Sequence, residues 1–84
     1  MSTAEIIGYV AGGITSLTFL PQVVKTWKQK SAKDVSLLMF IIAIVNEILW
    51  IFYGVLENLW VIILTNIIML VMSLIMVGLK LRYK

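Results

Sequence analysis

Residues 59–79 read LWVIILTNIIMLVMSLIMVGL, a run of 21 residues without a charged side chain. A hydrocarbon core about 30 Å thick needs about 20 helical residues to cross it, because each residue of an α-helix advances about 1.5 Å. In lipid, a helix satisfies every backbone amide within its own segment. This run therefore predicts a transmembrane helix.

Two further apolar runs of similar length lie upstream. Residues 6–24 carry no charge, and residues 35–56 are apolar except for Asn46 and Glu47. Each run is long enough to cross the hydrocarbon core as a helix. We therefore expect one all-α membrane domain over residues 1–84, with transmembrane helices at about 6–24, 35–56 and 59–79.

The composition of the 84-residue chain agrees with this prediction, since 62% of its residues are apolar and 13% are charged. In soluble domains roughly 45–50% of residues are apolar and roughly 25% are charged. A domain this short also buries only about 60% of the surface that its unfolded chain exposes. The chain has no cysteine and no histidine, which excludes disulfide scaffolds, the usual zinc sites and histidine-dependent catalysis. With no nucleophile–base pair, metal cluster or nucleotide-binding loop in the sequence, we expect no enzyme activity, metal or cofactor.

The basic residues lie in two segments that three spans place on the same side of a membrane. Segment 25–34 contains Lys25, Lys28, Lys30 and Lys33, and tail 80–84 contains Lys80, Arg82 and Lys84. The positive-inside rule makes both segments cytoplasmic and the N-terminus external. Topology thus accounts for the net charge of +3 without a nucleic-acid partner. A cleaved signal peptide is the alternative for the first run, but Glu5 precedes that run instead of a basic segment.

Each span carries one stripe of small or polar residues at helical spacing. The stripes contain Gly8, Gly12, Thr15, Ser16, Phe19, Gln22 and Thr26 in the first span, Ser36, Met39, Ala43, Asn46, Trp50, Tyr53 and Glu57 in the second, and Asn66 and Ser73 in the third. Three such stripes predict a shared polar interior. The alternatives are close helix packing for the glycines, cross-helix hydrogen bonding for Asn66, and an interfacial aromatic belt for Trp50 and Tyr53.

Glu47 lies near the middle of the second span, at the edge of its stripe. An ionised carboxylate is unfavourable at this depth, and the sequence places no lysine or arginine there to pair with it. We expect Glu47 to be protonated or to face a wet cavity, which with Asn46 makes it a candidate proton or polar site. The simpler alternative is a neutral carboxyl that forms one hydrogen bond to a neighbouring helix.

Pro21 interrupts the first span about one turn before its cytoplasmic end. Proline removes one helical hydrogen bond and clashes with the preceding turn, at about 3 kcal/mol in a helix interior. Neighbouring groups in membrane proteins often compensate for the freed carbonyl. The residue therefore indicates either a static kink or a hinge.

Short motifs follow one another along the chain in a characteristic order. Phe19-Leu20-Pro21-Gln22 is followed by the lysine-rich segment, Asp34-Val35-Ser36, Leu49-Trp50-x-x-Tyr53-Gly54 and Thr65-Asn66. This order resembles the PQ-loop family and, within it, the bacterial SemiSWEET sugar transporters. The resemblance implies a three-helix bundle in the spatial order 1-3-2 that works as a parallel homodimer of six helices.

The same resemblance implies roles for individual residues. Trp50 and Asn66 of both protomers would bind the sugar, Tyr53 would form the outer gate, and Phe19 and Met39 would form the inner gate. Pro21 and Gln22 would form the hinge of the first helix. Residues 55–59, VLENL, lack the arginine–aspartate pair that closes the outer gate in some members, so we expect Tyr53 and Asn58 to close that end. Phe40 stands where relatives use an inner-gate tyrosine.

More than one copy is also expected on physical grounds. Three helices packed together leave no room for a hydrated solute, and the charge rule orients every copy alike. The sequence alone leaves a trimer open as well as a dimer.

A neutral sugar suits the predicted pathway, because an indole stacks on the apolar faces of a pyranose and an amide bonds to its hydroxyls. The first alternative is transport of another small solute such as an amino acid, whose ammonium group would need Glu47. The second is a membrane assembly or regulatory subunit that transports nothing.

Overall fold

The computed structural model describes residues 2–33 and 35–84, which form three α-helices: α1 (Thr3–Gln29), α2 (Leu37–Glu57) and α3 (Trp60–Tyr83). All three helices are long and apolar enough to cross a membrane. Asp34, which belongs to one of the sequence motifs, lies outside the described residues. The described part of the chain is thus all-α, as predicted.

Helix α1 extends beyond the apolar run at both ends. Ser2 caps its N-terminus, where the Ser2 hydroxyl accepts from the Glu5 amide and the Glu5 carboxylate accepts from the Ser2 amide. The helix passes through Pro21 and ends at Gln29, before Lys30 in the left-handed conformation (φ 52°). Lys25 and Lys28 therefore lie on the last turns of α1 rather than in a loop. Hydropathy marks only the part of a helix that lies in lipid, and these turns extend past that part.

Helices α2 and α3 form an antiparallel hairpin with a very short connection. Ser36 caps the start of α2, and Asn58 ends it in the left-handed conformation (φ 55°, ψ 42°). The Leu59 amide then donates to the Gly54 carbonyl over 2.8 Å. A Cβ on Gly54 would lie 2.9 Å from Ile63 Cγ1, so the absence of a side chain allows α2 and α3 to approach closely at this turn.

Helix α3 occupies the middle of the bundle, because its backbone lies close to those of both α1 and α2, whereas the backbones of α1 and α2 do not approach each other. The spatial order is therefore 1-3-2, as predicted. A Cβ on Gly8 would lie 2.7 Å from Val61 Cγ1, and a Cβ on Gly12 would collide with the Thr65 side chain. These distances show that the two glycines serve the close packing of α1 on α3.

Few side chains are buried within one protomer. Among the described residues, the buried apolar side chains are Ala32, Ile63 and Met76, and the buried polar ones are Ser16, Thr26, Glu47 and Ser73. Most large apolar side chains are instead exposed on the surface of the bundle. Such a surface requires lipid or further protein around it.

Candidate functional site

Two grooves lie along the face of α2 that carries the predicted stripe. The inner groove, on the side of the basic segments, has a volume of about 390 Å³ and is lined by Phe19, Gln22, Val35, Ser36, Met39, Phe40 and Ala43. The outer groove has a volume of about 340 Å³ and is lined by Asn46, Leu49, Trp50 and Tyr53. All six stripe residues from Ser36 to Tyr53 line one of these two grooves, so they share one face of the protomer.

The inner groove is bounded by α1 on one side and by the start of α2 on the other. Phe19 and Phe40 meet across it with ring centroids 6.3 Å apart and planes at 65°. Met39 contributes a side chain that is 70% exposed in the single protomer. The three residues expected at the inner gate therefore lie together in the wall of one groove.

The end of the inner groove nearest the basic segments is polar and positively charged. A cleft of about 200 Å³ beside it shares Gln22 and Val35 with the inner groove and also contains Lys25 and Lys33. Among the described residues that line this cleft, no acidic side chain offsets the two ammonium groups. This end of the groove therefore has a mainly polar lining that carries net positive charge.

The outer groove contains an aromatic pair on a polar background. The Trp50 and Tyr53 rings are perpendicular, with an interplanar angle of 89° and centroids 5.5 Å apart. Trp50 is 45% exposed and Tyr53 47% exposed, and Asn46 beside them is also exposed. An exposed amide next to an indole face can accept a ligand that has both apolar faces and hydroxyl groups.

Asn58, expected at the outer gate with Tyr53, lies in the turn between α2 and α3. Its backbone N–H points back to the carbonyls of Gly54 and Val55 and closes the end of α2. The side chain is outside the wall of the outer groove. Of the two residues expected at the outer gate, Tyr53 therefore lines the outer groove, whereas Asn58 lies in the turn at the end of α2.

Asn66 is half-buried on α3, and its Nδ2 donates to the Ile62 carbonyl over 2.9 Å. It is not part of the wall of the outer groove, so a single protomer does not bring Asn66 and Trp50 into the same groove. The bond to Ile62 uses one of the two N–H donors of the amide.

Glu47 lies against α3, away from both grooves. Its side chain is only 1% exposed, and the Ser73 hydroxyl donates to Glu47 Oε2 over 3.3 Å. The other carboxyl oxygen, Oε1, is buried without a hydrogen-bond partner within the part of the chain that is described. Of the arrangements considered for Glu47, the protomer has the hydrogen bond to a neighbouring helix, because the rotation of α2 turns this residue towards α3.

The hinge residues lie where α1 borders the inner groove. Pro21 interrupts the amide pattern of a continuous helix, and the next residue, Gln22, lines both the groove and the polar cleft. Upstream, the Ser16 hydroxyl donates to the Gly12 carbonyl over 2.8 Å, and Thr15 donates to Ala11 over 3.0 Å. These side-chain bonds to the preceding turn are a known cause of helix bending.

Sequence reasoning missed Leu49 and Val35 as groove residues. Both are apolar residues in an apolar run, so their type carries no signal of a role. Helical spacing could have indicated Leu49, which follows Asn46 by three residues, whereas Val35 adjoins Ser36 and has no such signal. No described group of three His, Cys, Asp or Glu side chains is arranged to hold a metal ion.

The comparisons with known proteins agree with each other. The family model described as "PQ loop repeat" matches residues 3–63. The chain is 39% identical over 66 residues to the sugar transporter SemiSWEET of Leptospira biflexa, covering 79% of this chain and 78% of that protein. A crystal structure of a bacterial homologue of SWEET transporters superposes with a TM-score of 0.95 at 42% identity, covering 99% of this chain and 100% of the other. A crystal structure of SemiSWEET in the inward-open conformation gives a TM-score of 0.85 at 27% identity, covering 96% of this chain and 87% of the other.

Proposed function

This chain belongs to the PQ-loop family and is related to its SemiSWEET members, and on that premise we propose that it is a membrane transporter of a small neutral sugar. It would act as a parallel homodimer that moves a mono- or disaccharide by alternating access. The relatives of known function are named as sugar transporters, which supports the substrate class. The observation that carries the proposal is the groove in which Trp50 and Tyr53 stand exposed beside Asn46.

The homodimer accounts for the exposure of this polar and aromatic face. An amide such as that of Asn46 is unfavourable in contact with acyl chains, and a second copy would cover it. Because the basic segments orient both copies alike, their axis would run along the membrane normal. Two grooves that face each other across this axis would enclose a central chamber.

The chemistry of the chamber suits a sugar. The Trp50 indoles would stack on the C–H faces of a pyranose ring, and the Asn66 amides would bond to its hydroxyl groups. Asn66 would join the Trp50 site only in the dimer, since it does not line the outer groove of a single protomer. A neutral substrate needs no charged partner, and no acidic side chain lines either groove in the described chain.

Alternating access would use the two grooves in turn. Phe19, Met39 and Phe40 would form the inner gate, with Pro21 and Gln22 as the hinge that opens it. Tyr53 would form the outer gate, and Asn58 would act on it by setting the turn that follows. The N-terminus would be external and the C-terminus cytoplasmic, in a bacterial inner membrane.

Transport of an amino acid is less well supported than transport of a sugar. Its ammonium group would need a carboxylate in the pathway, and Glu47, the one acidic residue within the three apolar runs, is buried against Ser73. We propose that Glu47 and Ser73 form a polar contact between α2 and α3 and that sugar movement is not coupled to protons.

Uptake by proteoliposomes tests the function. A panel of radiolabelled sugars and amino acids is offered with and without a pH gradient, and we expect uptake of a sugar in both conditions. Trp50→Ala and Asn66→Ala should each reduce uptake more than tenfold, because loss of about 1.4 kcal/mol corresponds to that factor. Trp27→Ala and Trp60→Ala are matched controls, since both indoles are exposed outside the grooves. Unchanged uptake by the Trp50 and Asn66 variants would remove the assigned site, and transport of amino acids instead of sugars would remove the substrate class.

A further inference from the structure

Among the described residues of the connection between α1 and α2, Ala32 is the most buried. It is 1% exposed, although its neighbours in that connection are mainly polar. Its carbonyl oxygen accepts two hydrogen bonds, one from the Val35 amide over 3.0 Å and one from Lys80 Nζ over 2.8 Å. The first bond closes the turn, and the second joins this turn to the last turns of α3.

The bond from Lys80 is of the stronger kind. Its donor is an ammonium group, and hydrogen bonds from a charged donor are shorter and roughly twice as strong as those between neutral groups. The bond is partly shielded from solvent, since Ala32 is buried and Lys80 is half-buried. Besides its contribution to the charge that sets the topology, Lys80 therefore has a structural role, which is to bond the turn at Ala32.

The turn held by Lys80 leads directly into the inner groove. Val35, which closes the turn, and Ser36, the next residue, both line that groove. The Ser36 hydroxyl also accepts from the Met39 amide over 3.2 Å and so fixes where α2 begins. A displacement of the Ala32 carbonyl would thus move the rim of the inner groove.

We propose that Lys80 is a positioning residue for the inner gate. Its ammonium group clamps the Ala32 carbonyl, holds the connection between α1 and α2 against α3, and favours the conformation in which Phe19 and Phe40 meet. Opening towards the cytoplasm then requires either that α3 moves with the connection or that this bond breaks. The inference deepens the proposed function and rests on it, since it concerns the regulation of the same pathway.

Accessibility of the inner groove to a thiol reagent tests this proposal. The chain has no cysteine, so Ala43→Cys introduces a single reporter of similar size in the wall of the groove. Inverted vesicles expose the basic side to a membrane-impermeant maleimide. In the Ala43→Cys protein we expect Lys80→Met to raise the labelling rate about tenfold or more, as the loss of one hydrogen bond from a charged group would do. Lys80→Arg keeps a charged donor and should stay within about twofold of the parent, by the same principle.

Lys84→Met is the matched control, because it removes the same charge from the same tail at an exposed position. Equal labelling of the Lys80→Met and Lys84→Met proteins would overturn the proposal. Asp34→Asn provides a further arm, since this acidic residue follows Ala32 by two positions. If Asp34→Asn reproduced the effect of Lys80→Met, the clamp would act on a carboxylate and the proposed bond to the carbonyl would be wrong.

The readout is independent of sugar transport. If the protein carried no sugar but Lys80→Met still raised labelling, the positioning role would stand and only the proposed function would fail. Conversely, active uptake with unchanged labelling would overturn the positioning role alone. Thermal unfolding in detergent shows in each case that the variants are folded.

Discussion

The Phe19 ring meets the Phe40 ring edge to face across the inner groove, with centroids 6.3 Å apart. This contact joins α1 to α2, two helices that otherwise pack against α3 and not against each other. It is therefore a local bridge between helices whose separation sets the width of the groove.

Truncation of one ring should widen the groove. An aromatic pair contributes about 0.5–1.5 kcal/mol beyond its buried area, so Phe40→Ala should raise the labelling of a cysteine at Ala43 about two- to tenfold. Phe40→Tyr retains the ring and should label at the parental rate. Phe52→Ala is the control, since this exposed ring lies outside both grooves. A Phe40→Ala protein with parental labelling would show that the ring pair does not restrict access.

Glu47 and Ser73 should act as a structural pair between α2 and α3. Glu47→Gln keeps the shape and an acceptor for the Ser73 hydroxyl, so its free energy of unfolding should remain within about 1 kcal/mol of the parent. Glu47→Ala leaves a cavity and removes the Ser73 partner, and we expect a loss of about 1–3 kcal/mol. Denaturant titration in detergent micelles measures both values.

The same pair gives a prediction for pH. Because Glu47 faces neither groove, the uptake rates of the parent and of Glu47→Gln should follow the same curve from mildly acidic to mildly alkaline pH. A parental pH dependence that Glu47→Gln abolishes would instead make Glu47 a proton carrier, contrary to our proposal.

Two neighbouring glycines of α1 should differ in their tolerance of a methyl group. Gly12→Ala would collide with the Thr65 side chain and should destabilise the protein by about 1–3 kcal/mol, as overpacking does. Gly13→Ala adds the same methyl group into open space, so stability should be unchanged or slightly higher. Thermal unfolding midpoints compare the two directly. Equal midpoints would mean that α1 is not in close contact with α3 at residue 12.

Asn58 should matter for the turn rather than for binding. Its left-handed backbone (φ 55°, ψ 42°) suits asparagine or glycine, whereas a β-branched residue would be strained there by about 1–2 kcal/mol. Asn58→Gly should therefore keep both stability and uptake, and Asn58→Val should lower the unfolding midpoint. A folded Asn58→Gly protein that lost its outer closure would show that the amide itself takes part in the gate.

The sequence was sufficient to predict three helices, because each apolar run matches the thickness of a bilayer. It placed Asn46, Trp50 and Tyr53 on one face, since helical periodicity depends only on spacing. It left open whether Glu47 faces a cavity or a neighbouring helix, because the neighbour on each side of α2 depends on where α3 lies in the bundle. Helix α1 also proved longer than its apolar run, since backbone hydrogen bonding continues where hydropathy ends.

Two further relationships were beyond sequence reasoning for different reasons. The bond between Lys80 and the Ala32 carbonyl links positions 48 residues apart. Its acceptor is a backbone oxygen, which every residue has, so the residue type at position 32 does not indicate the bond. Asn66 does not line the outer groove that contains Trp50, so their proposed association depends on a second copy and not on the fold of a single chain.

The middle position of α3 has a consequence for how this protein tolerates sequence variation. Apart from the contact between Phe19 and Phe40, helices α1 and α2 each pack on α3 alone, so a change in either can be compensated by a change in α3. A change in α3 affects a packing contact on each side, because Thr65 packs against Gly12 of α1 and Ser73 bonds to Glu47 of α2. Saturation mutagenesis should therefore reveal two intolerant stripes along α3 and only one along each outer helix, apart from the groove-lining positions.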